Sequence, residues 1–235
     1  MPGNTAPPAG RPGPAAYPGT TMVGSTMTGL FSRGLFSRSG WGKVMGPLIR
    51  WLVKHGVTAN TVTVVGTLGA MAGALIFYSR GVFFVGTLVI WAFAMLDFVD
   101  GSVARAQGGS TVFGAVLDST LDRVVDAAVF GSLAWWFAGA GDSGPLLLAC
   151  LLCLVIGSVV SYIKARAEGA GLRCDVGLIE RPQRLTTALV GTGLDGLGVP
   201  YVQAIALWAL VALSAYTAWQ RLVEVHRQSR AVQQG

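Results

Sequence analysis

Between Val57 and Leu222 the chain is a succession of apolar runs separated by short polar or glycine-containing breaks. Crossing the hydrocarbon core of a bilayer takes about 20 apolar residues in a helix. Runs near that length fall at 59–79, 82–106, 113–139, 145–168, 180–197 and 200–222. Inside lipid the backbone must satisfy its own hydrogen bonds, so each run is predicted as a helix. The expected fold is therefore all-α: a polytopic membrane protein with six transmembrane helices. The fifth run is the least regular, opening with IERPQR and broken by Gly191, Gly193, Gly196 and Gly198. Composition agrees, with 52% hydrophobic and only 12% charged residues and a mean hydropathy of +0.58, a profile foreign to soluble domains.

One stretch inside these runs is out of place for a membrane helix. From Asp97 to Asp122 it reads DFVDGSVARAQGGSTVFGAVLDSTLD, with aspartates at 97, 100, 118 and 122. An ionised carboxylate at mid-bilayer costs roughly 2.5–3.5 kcal/mol on insertion scales, so a group of them calls for a partner of opposite sign. Asp97 and Asp100 are spaced i, i+3, and Asp118 and Asp122 i, i+4. Each pair thus lies on one helix face, one turn apart. Two facing helices would offer all four carboxylates to one pocket. Hard oxygen ligands suit Mg²⁺, or Mn²⁺, rather than zinc. Between the pairs, Gln107-Gly108-Gly109-Ser110-Thr111 forms a glycine turn where backbone N–H groups can approach phosphate. Arg105 adds a planar fork suited to phosphate. Metal ligands, an arginine and a glycine turn together point to a diphosphate substrate.

The pattern D-x2-D-G-x2-A-R-x8-G-x3-D-x3-D resembles the signature of the CDP-alcohol phosphotransferases, with all eight fixed positions present. These are integral membrane enzymes that displace CMP from a CDP-linked substrate with an alcohol. The resemblance implies that Asp97, Asp100, Asp118 and Asp122 hold two Mg²⁺ ions, and that Asp122 is also the general base. It implies that Gly101, Arg105 and Thr111 hold the CDP group. At the start of the first run, VTANTVTVVG reads locally as a helix cap and first turn. The resemblance adds Asn60, Thr61, Val62 and Thr63 as contacts to CDP-diacylglycerol, although Ala59 stands where proline is commoner. Asp126, one further turn along, is outside the signature and reads as a supporting or helix-polar residue.

The remaining segments frame this core. Residues 1–40 are rich in Pro, Gly, Ser and Thr and are expected to be a disordered tail, without the apolar segment of a signal peptide. The repeat GLFSRGLFSR at 29–38 has no assigned role. Residues 41–56 show a tryptophan and apolar stripe with Lys43, Arg50 and Lys54 off it, expected as an interfacial amphipathic helix. Domains are thus expected at 1–40, 41–56, 57–222 (the catalytic membrane domain) and 223–235 (a C-terminal tail). Cys150 and Cys153 form a C-x-x-C inside LLLACLLCLVIG, where two packed apolar side chains are expected rather than a redox pair. Cys174 is a lone thiol in a polar loop.

Lysine and arginine gather at one set of helix ends, and the opposite loops carry only Arg80. That bias places both termini and the signature turn on the cytoplasmic side; it also accounts for the net charge of +6 without invoking nucleic acid. Within SYIKARAEGAGLRCDVGLIERPQR, residues 161–184, Lys164 and Arg166 close an apolar helix with Glu168, Asp175 and Glu180 nearby. Fixed cations at a pocket mouth suit an anionic acceptor such as a polyol phosphate. The segments S-Y-I-K-A-R-A-E, G-L-R and I-E-R-P-x-R resemble the actinobacterial phosphatidylinositol phosphate synthases, over about residues 41–222. That resemblance implies 1D-myo-inositol 3-phosphate as acceptor, Lys164, Arg166, Arg181 and Arg221 as its binding residues, and a homodimer in the cell membrane. Phosphatidylglycerophosphate synthesis remains an alternative, since both acceptors are phosphorylated polyols. A cation transporter built on the four aspartates is an alternative of another class, though it requires neither Arg105 nor the glycine turn.

Overall fold

A computed structural model of the chain describes Pro47 and residues 54–96, 101–103, 109 and 111–234. All of them belong to the compact unit Met45–Gly235. The expected tail at 1–40, nearly all of the expected amphipathic helix, and Asp97, Asp100 and Arg105 lie outside the described residues.

Among the described residues the regular elements are helices: α1 Ala59–Phe77, α2 Phe83–Ala94, α3 Val112–Ala138, α4 Gly144–Gly169, α5 Arg181–Asp195 and α6 Val202–Gln234, with a 3₁₀ turn at Tyr78–Arg80. Residues 101–103 are also helical. Local chemistry sets the boundaries. Thr58 caps α1, its Oγ1 accepting from the Thr61 N–H at 3.3 Å. Thr111 caps α3, accepting from the Gly114 N–H at 2.9 Å. Glu180 and Gln183 form a reciprocal capping box on α5, with proline in its first turn.

The helices close into a ring. α1 packs on α2, α2 on α5, α5 on α6, α6 on α4, α4 on α3, and α3 back on α1. Each helix therefore has two principal neighbours. The face α1 turns inward is built from Thr63, Gly66, Thr67, Ala70, Gly73 and Ala74. Small side chains at three- and four-residue spacing let helix backbones approach closely, as membrane interfaces require. The core runs from these through Val129, Phe130 and Leu133 of α3 to Leu185 and Leu189 of α5 and Leu207 and Leu210 of α6. At one end Tyr78, Phe83, Trp136 and Phe137 seal it with edge-on and tilted ring contacts. Cys150 and Cys153 are buried and unlinked, and the Cys153 thiol donates to the Leu207 carbonyl at 3.5 Å.

Three helices, Ala59–Arg80, Gly144–Gly169 and Val202–Ala231, are long and apolar enough to cross a bilayer by length and composition. α2 is apolar but shorter in its described part. α3, at 27 residues, has the length; its aspartates and Arg123 dilute its apolar character. α5, at 15 residues, is short and one-sided. The sixth expected run ends at 222, but α6 continues to Gln234. VEVHRQSRAVQQ holds no glycine or proline to stop it.

Candidate active site

Two sets of expected residues meet where α1 and α3 begin. A Cβ placed on Gly114 would lie 3.0 Å from Asn60 Oδ1 and 3.1 Å from Thr111 Oγ1. Asn60 of the first apolar helix and the cap of the aspartate helix thus converge over one bare α-carbon. Thr61 Oγ1 is 2.9 Å from Thr58 Oγ1, and the Thr63 hydroxyl donates to the Ala59 carbonyl at 3.1 Å. Val62 is buried against Val103, and its N–H donates to the Thr58 carbonyl at 3.2 Å. Gly101, one of the described helical residues 101–103, is half-buried.

Two turns into α3, Asp118 is exposed and Asp122 half-buried. Asp122 faces a crevice of about 10 Å³, lined also by Thr63, Gly66, Thr67, Ala94, Val125, Arg181 and Leu185, room for about one water. Its Oδ1 is 2.6 Å from Arg181 Nη1. Arg181 Nε lies 3.3 Å from Asp126 Oδ1, and Arg184 Nη2 lies 2.8 Å from Asp126 Oδ2. Asp122, Arg181, Asp126 and Arg184 thus form a ladder of alternating charge between α3 and α5. The i, i+4 aspartates face the i, i+3 arginines. Arg184 is 1% exposed, and its guanidinium lies against Gly157 of α4, where a Cβ would stand 2.9 Å from Cζ.

Sequence reasoning placed Arg181 among the acceptor cations; the structure places it on the aspartates of α3. Arg184 is the last residue of the basic segment 161–184, and Asp126 lies outside the signature. The matched spacings 122/126 and 181/184 were the signal for both. Arg123 was overlooked: it bonds the Ser161 hydroxyl of α4 and lies 3.9 Å from Asp122 Oδ2.

The other expected cations lie around the α4–α5 loop. Lys164 Nζ is 3.2 Å from Asp175 Oδ1 and 3.8 Å from Glu168 Oε1. Arg166 is exposed and has no ion pair among the described residues. Arg221 is 4% exposed and donates from Nε to the Val176 carbonyl and from Nη1 to the Val160 carbonyl, at 2.9 and 2.7 Å.

Asp118 and Asp122 offer hard carboxylate oxygens one turn apart on α3, a donor chemistry that fits a divalent ion. Among the described residues no cluster of three metal-ligating side chains occurs; Asp97 and Asp100 lie outside them.

The sequence model of the CDP-alcohol phosphatidyltransferases matches residues 56–221, which takes in both aspartate pairs. The chain belongs to the CDP-alcohol phosphatidyltransferase family. Within that family it is 49% identical over 194 residues to the phosphatidylinositol phosphate synthase of Streptomyces avermitilis, covering 80% of each chain. It is 45% identical over 193 residues to that of Mycobacterium tuberculosis, covering 81% of this chain and 89% of the other. The crystal structure of the Mycobacterium tuberculosis phosphatidylinositol phosphate synthase with CDP-DAG bound aligns with a TM-score of 0.75 at 45% identity, over 78% of this chain and 94% of that one. A second structure of that enzyme, in complex with manganese and citrate, aligns with a TM-score of 0.73 at 46% identity, over 76% and 87%. This member of the CDP-alcohol phosphatidyltransferase family therefore shares its helical fold with a relative that takes both the lipid nucleotide and a divalent metal.

Proposed function

We propose that this chain is a phosphatidylinositol phosphate synthase. It transfers the phosphatidyl group of CDP-diacylglycerol to 1D-myo-inositol 3-phosphate and releases CMP. The observation that supports this most is the 49% identity to a synthase of that name over four-fifths of both chains.

The residues divide the work. Asn60, Thr61, Val62, Thr63, Gly101, Arg105 and Thr111 receive the CDP group where α1 and α3 begin. Asp97, Asp100, Asp118 and Asp122 are the residues that would hold two Mg²⁺ ions, or Mn²⁺. Bound there, the metal would neutralise the diphosphate and stabilise the attacking and leaving oxygens. The acceptor hydroxyl oxygen attacks the phosphorus that carries diacylglycerol, and the bond from that phosphorus to CMP breaks. The hydroxyl proton goes to Asp122, whose second oxygen is steadied by Arg181. Lys164 and Arg166 take the acceptor phosphate. Arg221 frames that pocket by holding its loop, and Arg181 borders it from the aspartate side. Except for Arg80, the described cations of the loops and helix ends lie at the end where α1, α3 and α5 begin, which orients this end toward the cytoplasm. The enzyme works in the cell membrane as a homodimer.

CMP release from purified protein and CDP-diacylglycerol tests the assignment, with inositol phosphate, inositol, glycerol phosphate and serine as acceptors. Turnover with inositol phosphate at least about a hundredfold above the others is expected. Preference for glycerol phosphate would instead favour phosphatidylglycerophosphate synthesis, and turnover with none would defeat the reading.

A further inference from the structure

The family match ends at residue 221, yet α6 runs on to Gln234. What the extra turns touch is the α4–α5 loop. The Gln228 carboxamide accepts from the Arg173 N–H at 3.0 Å and donates to the Arg173 carbonyl at 2.7 Å. It also donates to Glu224 Oε1 at 2.6 Å, which fixes its rotamer. One side chain thus satisfies both backbone groups of a residue 55 positions away, much as a neighbouring strand would.

Gln228 completes a stripe on α6. The Thr217 hydroxyl accepts from the Ile179 N–H at 3.2 Å, and Arg221 binds the Val176 carbonyl. Residues 217, 221 and 228 recur at helical spacing along one face. They grip the loop at 179, 176 and 173 by its backbone alone. The loop lies close enough that Gly177, at φ +145°, could not carry a Cβ: the atom would stand 2.7 Å from Thr217 Cγ2. Between the last two grips sit Cys174, which is fully buried, and Asp175, which pairs with Lys164. Burial holds the Cys174 thiol above its ordinary range, an effect that the Arg221 and Lys164 charges partly offset.

We propose that Gln228 is a positioning residue for the acceptor site: it anchors Arg173, and through it the turn that orients Lys164. The inference rests on the assignment of Lys164 to the acceptor phosphate. Gln228 itself touches no reacting group.

The test compares Gln228→Ala and Gln228→Glu with wild type in the full-length protein. Two readouts are taken: the rate of maleimide labelling at Cys174, read by peptide mass spectrometry, and the KM values for inositol phosphate and CDP-diacylglycerol. Losing these hydrogen bonds should raise Cys174 labelling by about tenfold, since exposure follows local opening. The inositol phosphate KM should rise several-fold, with the CDP-diacylglycerol KM unmoved. Gln228→Glu keeps the size but loses both donated bonds and faces Glu224, so it should match Gln228→Ala; a wild-type Gln228→Glu would show simple packing and overturn the proposal. Unchanged labelling would overturn the anchor. Faster labelling with an unmoved acceptor KM would overturn its bearing on the site. Lys164→Ala serves as the control. If it raises the acceptor KM while Gln228→Ala does not, the Gln228 role falls and the acceptor assignment stands. If Lys164→Ala has no effect on that KM, the acceptor assignment falls and takes the Gln228 role with it.

Discussion

Arg181 Nη1 and Asp122 Oδ1 meet at 2.6 Å, joining the first turn of α5 to the middle of α3. The contact ties a signature carboxylate to a helix that the signature does not include. Both side chains line the same crevice. Arg181→Gln removes the charge that holds this carboxylate. CMP release is expected to fall about tenfold or more, because small misplacements of a reacting group are costly. Activity equal to wild type at saturating substrate would remove Arg181 from the site.

Asp122→Asn keeps the shape and removes the negative charge. A neutral amide is a poor ligand for a hard cation and cannot accept the acceptor's proton. CMP release should drop by at least about 10²-fold, at any Mg²⁺ concentration. Full activity of this variant in Mg²⁺ would defeat the mechanism. Chelation of wild type with EDTA should likewise abolish CMP release, and added Mg²⁺ or Mn²⁺ should restore it.

The Asp126–Arg184 pair is the most buried part of the ladder, with Arg184 1% and Asp126 5% exposed. Asp126→Ala strands a guanidinium inside the helix ring, at a cost of about 3–5 kcal/mol. Replacing both, Asp126→Leu with Arg184→Met, removes both charges and should recover most of that loss. Thermal unfolding in detergent checks the pair; a double variant no more stable than Asp126→Ala would contradict it.

Gly114→Ala puts a methyl 3.0 Å from Asn60 Oδ1 and 3.1 Å from Thr111 Oγ1. Both groups must shift by a few tenths of an ångström, a disturbance of about 1 kcal/mol. The KM for CDP-diacylglycerol should rise several-fold while that for inositol phosphate stays put. Equal changes in both would show a general loss of structure.

Lys164→Ala and Arg166→Ala should each raise the KM for inositol phosphate by roughly tenfold, the worth of one charge-assisted hydrogen bond. The CDP-diacylglycerol KM should not follow. Steady-state kinetics with each substrate varied in turn separates the two.

The helical class, the place of most helix boundaries and the one-turn spacing of Asp118 and Asp122 could be read from residue order. Apolar run length and three- or four-residue spacing are properties of a chain segment, and they survive folding because backbone hydrogen bonds in a helix are local. The caps at Thr58 and Thr111 belong to the same class of information, since a cap is a contact between residues three apart. The partners of Arg181, Arg184 and Arg221 do not belong to it. All three are arginines near apolar segments, and charge bias alone groups them as membrane-edge cations. Only the closure of the helix ring decides that the first two meet aspartates of α3 and the third meets one carbonyl of the α4–α5 loop and one of α4. A guanidinium reaches several directions from its own helix, and which acceptor it finds depends on which helix is packed alongside. The same reason hides Gln228: nothing within α6 says that the residue opposite it is Arg173.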